Sequence, residues 1–150
     1  MGTKTKEALY FGAAFLLLST ASILIGRYMD KKQIVEFARK FIGLPYVWGA
    51  QCPTIGADCS GLVYMVYKKF YPDFRDRTAQ AYFNASLLKD RPEVGDLIFF
   101  GTGPNDIKHV GIVSGKNTMI HSGQSTGVTE TNFNTPYWQN IFVSYGKITG

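Results

Sequence analysis

At 150 residues the chain is long enough for one domain with a substantial core and too short for two comfortable ones. Its 45% hydrophobic and 15% aromatic content excludes a disordered chain. A net charge of +5, scattered along the chain with no basic block, suits nucleic acid, membrane phosphate, an anionic cell wall or a merely solvated surface, and does not choose among them.

The first feature in chain order is "ALYFGAAFLLLSTASILIG", Ala8 to Gly26, without a charge. At about 1.5 Å per residue it just spans a hydrocarbon core, so residues 1–29 read as one N-terminal transmembrane helix. A secretory signal peptide is the rival, with Lys4 and Lys6 as its charged start and Ser19-Thr20-Ala21 as its cleavage site. Ile23, Leu24 and Ile25 carry the apolar run past that site, which favours the anchor. Positive residues flank both ends, so loop charge does not set the orientation.

Residues 30–150 read as one compact α+β domain, without repeats or a low-complexity linker. "DKKQIVEFARKFIG" predicts a helix with Asp30 as N-cap and Gly43 as its stop. An irregular loop, "LPYVWGAQCPTIGA", follows. Helical spacing returns over Cys59 to Phe70, and "DRTAQAYFNASLL" predicts a short helix starting near Asp76 or Thr78. From Glu93 the texture changes to short apolar or alternating runs between glycines and asparagines: "VGDLIFFG", "HVGIVSG", "TMIHSG", "GVTETNF" and "NIFVSYGKI". These predict an antiparallel sheet with the helices packed on one face.

The chemistry-bearing residues are few. The chain has two cysteines, Cys52 and Cys59, and two histidines, His109 and His121. Cys59 opens a helix, where the dipole and unpaired N–H groups favour a thiolate. A disulfide with Cys52 and a plain buried thiol are the competing readings. A nucleophilic thiolate needs a base, and the base needs an orienting partner. Both histidines fall on one predicted hairpin, whose loop length decides whether they meet. A two-residue loop at Gly115-Lys116 puts them on opposite faces; an odd-length loop or a bulge puts them on one. A zinc site from Cys52, Cys59, His109 and His121 lacks the short paired spacings of structural zinc.

Five blocks, in order and at compatible spacing, resemble the NlpC-type bacterial cell-wall cysteine peptidases: "LPYVWGA", "ADCSGLVYMVY", "RTAQAY", "PEVGDLIFF", and "HVGIVSG" with "MIHSG". The resemblance covers nearly all of Lys31 to Ile148 and implies a reduced papain-like fold. It implies that Cys59 is the nucleophile, His109 its base and His121 the group orienting that base. Tyr46 corresponds to a hydroxyl that helps stabilise the oxyanion, and Asp58, Ser60 and Trp48 to substrate-binding positions. Gly95-Asp96 reads as a structural turn. The expected partner is the peptidoglycan stem peptide, cut at an amide, with the membrane engaged through the N-terminal helix. Neither nucleic acid nor a metal or organic cofactor is implied. The domain is then expected outside the cytoplasmic membrane, in a bacterial envelope or as a phage virion or lysis enzyme. An inactive binding module and a lipid acyltransferase remain as alternatives; in the latter the histidine typically precedes the cysteine, the reverse of the order here. "WGAQCP" departs from the family's usual "WGG" and places Cys52 near the presumed cleft.

Overall fold

The computed structural model describes Thr20 and residues 31–148. The chain divides into Met1–Asp30 and Lys31–Gly150, and the second unit is described here. The expected membrane segment and the Asp30 cap lie outside the described residues, Thr20 apart. Among the described residues no helix is long and apolar enough to cross a membrane.

Helix α1 covers residues 31–39 and buries Ile34, Val35 and Ala38; of the other two positions helical spacing singles out, Phe41 and Ile42, both past the helix end, the first is half-buried and the second exposed. The loop after it contains a small hairpin absent from the sequence reading, β1 (Gln51–Cys52) against β2 (Gly56–Ala57). Helix α2 runs over Cys59–Phe70 as expected, burying Leu62, Val63, Val66 and Tyr67. Helix α3 is shorter than predicted, Ala79–Ala85, capped by Thr78, whose hydroxyl accepts from the Ala81 N–H at 3.2 Å. The predicted helix fails at Ser86 because the chain is recruited into the sheet. Residues Ser86–Lys89 form β3, which pairs antiparallel with the last strand from Ser86↔Ile148 to Lys89↔Tyr145.

All five predicted strands form: β4 (Leu97–Gly103), β5 (Asp106–Val113), β6 (Thr118–Gly123), β7 (Gly127–Asn132) and β8 (Phe142–Ile148). A short helix missed from sequence, α4 (Pro136–Asn140), precedes β8. The six-stranded sheet has the order β3-β8-β4-β5-β6-β7, antiparallel throughout. This is the expected α+β architecture.

Alternation along the strands divides the buried residues in two. Leu97, Phe99, Val110, Ile112, Ile120 and Val128 join the core beneath the helices. Ile98, Phe100, Val113, Met119 and Phe133 form a smaller cluster with Trp138 and Phe142. The turn before β4 is fixed by Asp96, whose side chain is 1% exposed and pairs with Lys89 Nζ at 2.7 Å. Its Oδ2 also accepts the Glu93 N–H at 2.8 Å, and Lys31 of α1 lies 3.7 Å from Oδ1. Gly95-Asp96 is thus a structural turn, where the φ of +84° at Gly95 favours glycine.

Candidate active site

The N-terminus of α2 is held by its own sequence. Asp58 is extended and caps the helix, its Oδ1 accepting the Gly61 N–H at 2.7 Å and the Ser60 hydroxyl at 3.0 Å. Its Oδ2 accepts the Gly49 N–H at 2.8 Å, which ties the loop to the helix start. Gly61 is required by close approach: a Cβ there would lie 2.1 Å from the Ala50 carbonyl oxygen. Asp58, Ser60 and Gly61 therefore build the platform that presents Cys59. The same loop carries Tyr46, half-buried and hydrogen-bonded to Gln124, and Trp48, which is 81% exposed.

Both cysteines are free thiols, which removes the competing disulfide reading. Cys59 is half-buried and takes backbone hydrogen bonds at Val110, Ser60 and its own N–H. Those donors favour the thiolate, as its place at a helix start suggested. Burial outweighs them and, with the Asp58 charge adding to it, pushes the thiol up to about 11. Burial and the helix start thus act on this thiol in opposite directions. Cys52 behaves oppositely, because hydrogen bonding to Thr54 lowers its pKa.

The histidines meet. Strands β5 and β6 pair at Ile112↔Ile120 and Val113↔Met119, which leaves a three-residue loop, Gly115-Lys116-Asn117. That odd length places both imidazoles on one face. Continuing the register sets Gly111 across from His121. A Cβ on Gly111 would lie 2.8 Å from the Met119 sulfur and 3.4 Å from the His121 Cβ. His109 Nε2 and His121 Nδ1 are 2.9 Å apart. His109 pairs with Phe100 of β4, where a bulge shifts the register. On the other face, the Ser122 hydroxyl donates to the Ala57 carbonyl at 2.6 Å, joining the histidine strand to the segment that leads into Cys59.

Two further groups complete the surroundings. His121 Nε2 lies 3.1 Å from the Thr131 hydroxyl on β7. Trp138 of α4 packs against both imidazoles, 5.5 Å from His109 and 5.1 Å from His121 between ring centroids. Burial, with the neighbouring His121, lowers His109 to about 3, and burial lowers His121 to about 4. Burial thus works against charge on the thiol and on both imidazoles. Sequence reasoning identified Cys59, His109, His121, Tyr46, Asp58, Ser60 and Trp48 but missed Gly111, Gln124, Thr131 and Trp138. Thr131 carried a weak signal, since alternation in "GVTETN" puts it on one face with Thr129; Trp138 carried none.

Residues 43–147 match the NlpC/P60 family. The chain belongs to that family. It is 36% identical over 111 residues to the probable peptidoglycan endopeptidase LytE of Bacillus subtilis, covering 74% of this chain and 32% of that protein. It is 34% identical over 120 residues to a gamma-D-glutamyl-L-lysine dipeptidyl-peptidase of Bacillus subtilis, covering 78% of this chain and 40% of that protein. Among solved structures, an NlpC/P60 family protein from Bacillus cereus superposes with a TM-score of 0.73 at 26% identity, covering 80% of this chain and 40% of that one. The chain thus spans between about a third and two fifths of the length of these relatives.

Proposed function

We propose that this NlpC/P60 domain is a cysteine endopeptidase that hydrolyses an amide in the peptidoglycan stem peptide. The observation that carries the reading is the His109–His121 pair on the strands joined to the segment before Cys59. Cys59 Sγ attacks the scissile carbonyl carbon while its proton passes to His109. Negative charge then develops on the carbonyl oxygen, where the Cys59 backbone N–H and the Tyr46 hydroxyl are the assigned donors. Collapse expels the amine, which takes the proton from His109 and leaves a thioacyl-enzyme. Water deprotonated by His109 releases the acyl product and restores the thiol.

The bond assigned is that between the side-chain carboxyl of D-glutamate and the diamino acid, supported by the relative named for gamma-D-glutamyl-L-lysine. Trp48, Asp58 and Ser60 line the substrate side; Asp58 and Ser60 also hold each other and the helix start. Such a substrate requires the domain to lie outside the cytoplasmic membrane, with residues 1–29 as an N-in, C-out anchor and 30–150 as the catalytic domain. A bacterial envelope and a phage virion or lysis cassette both fit.

The test is incubation of the 150-residue chain, in detergent and reducing buffer, with purified peptidoglycan and defined muropeptides, beside its Cys59→Ala variant. Mass spectrometry should find new fragments with the wild type only, with a free D-glutamate side-chain carboxyl and a free amine on the diamino acid. Absence of fragments from a folded wild type on every wall chemistry, or equal fragments from the variant, would refute the proposal. Fragments broken at another amide would keep the peptidase and overturn the assigned bond.

A further inference from the structure

We propose that Thr131 is a positioning residue that sets the tautomer of His121, and through it that of His109, by accepting a hydrogen bond from His121 Nε2–H. The inference rests on the reading of His109 as base, and it extends the site by one residue onto a third strand.

The geometry is a continuous chain across β5, β6 and β7. His109 Nε2 is 2.9 Å from His121 Nδ1, and His121 Nε2 is 3.1 Å from Thr131 Oγ1. Register puts these side chains on one face, with Met119↔Thr131 and His121↔Thr129 flanking the second contact. Each neutral imidazole carries one N–H and one bare nitrogen. The chain therefore runs in one of two directions. In the first, His121 Nε2–H donates to Thr131, His121 Nδ1 is bare, and His109 Nε2–H donates to it. His109 Nδ1 is then bare and able to take a proton. In the second, Thr131 donates to His121 Nε2, His121 Nδ1–H donates to His109 Nε2, and His109 Nδ1 already carries its proton. A base in that form cannot accept the thiol proton. Only the first direction is competent.

Thr131 is placed to matter because His121 is buried. Its side chain is 4% exposed, and Trp138 packs against its ring. Among the described residues no buried side-chain nitrogen or oxygen lacks a partner, so Thr131 meets a requirement that solvent is excluded from meeting. Without the hydroxyl, Nε2 is orphaned in either direction, but as a buried N–H donor in the first and only as a bare nitrogen in the second; an orphaned donor is the costlier of the two, so the competent direction is the one penalised.

The test begins on the wild-type chain in detergent micelles, with histidine nitrogens labelled and read by long-range nitrogen–proton correlation at neutral pH. The expected pattern is a proton on Nε2 and a bare Nδ1 in both rings. A proton on Nδ1 of His121 would overturn the proposal before any variant is made. Thr131→Val keeps the shape and removes the hydroxyl; it should move His121 toward the Nδ1–H form and lower kcat about tenfold, with KM unchanged. Thr131→Ser should restore both the tautomer and kcat to within about twofold of wild type. An unmoved tautomer and unmoved kcat in Thr131→Val would overturn it equally. The nitrogen spectra do not depend on turnover, so failure of the wild type to cut muropeptides would sink the peptidase reading while the spectra still decide Thr131.

Discussion

His109 Nε2 and His121 Nδ1 stand 2.9 Å apart on neighbouring strands, and the indole of Trp138 packs against both rings. Neither ring is placed by its own strand alone. The three-residue loop between β5 and β6 sets their common face, and α4 packs Trp138 against them. His121 has both nitrogens engaged, by His109 and by Thr131, and on the proposed reading His109 is the base.

That division predicts unequal losses. His109→Ala should lower kcat/KM about a thousandfold, since the transferred proton loses its acceptor. His121→Ala should cost about ten- to a hundredfold, because it removes orientation but not the base. Steady-state kinetics on muropeptides checks this, and equal losses would count against separate roles.

The two thiols should differ in reactivity in an unexpected order. Cys52 has its pKa lowered by Thr54, whereas burial lifts Cys59 to about 11. Only thiolates alkylate rapidly. With iodoacetamide at neutral pH, peptide mass spectrometry should therefore show Cys52 modified first. Cys59 should become reactive only as pH rises toward its own value. Faster labelling of Cys59 at neutral pH would restore the resting thiolate.

Acidification should destabilise the domain through the histidines. Folded His121 protonates near 4, while an unfolded histidine does so near 6.5. Between those values the unfolded chain binds more protons, so stability rises with pH and is lost as pH falls. The pair titrates as a unit, and His109, lowered to about 3, acts in the same direction. Denaturant melts from pH 7.5 to 4.5 should show a loss on the order of 2 kcal/mol from each histidine, of which His121→Asn removes its own share and leaves that of His109. Trp138→Ala should admit water to the rings and raise the pKa of His121 toward its ordinary value, which proton NMR can follow.

Two substitutions away from the reacting atoms should unfold the platform. Gly61→Ala drives a methyl against the Ala50 carbonyl, a backbone atom that cannot swing aside, and should cost about 2–3 kcal/mol. Asp96→Ala removes a buried carboxylate from Lys89 and from the Glu93 N–H, and should cost about 3–5 kcal/mol. Thermal or urea unfolding checks both; changes below about 0.5 kcal/mol would show the surroundings relaxing.

Local chemistry explains what the sequence by itself determined. Helical spacing located α2 from Cys59 to Phe70, and alternation with glycine punctuation located β4 to β8, because each signal lies within a few residues of the structure it makes. Cysteine and histidine are scarce here, so the candidate residues were legible before any fold. Tertiary structure decided the rest. Leu87 and Leu88 left a predicted helix because β8 offered them a ladder, and nothing in their own neighbourhood announces that partner. The histidine faces turned on a one-residue difference in loop length, which composition does not fix. Thr131 and Trp138 reach the histidines from other elements, through register and packing. Burial, a property of the assembled core, raises the pKa of Cys59 against the pull of a helix start, which is a property of the local chain.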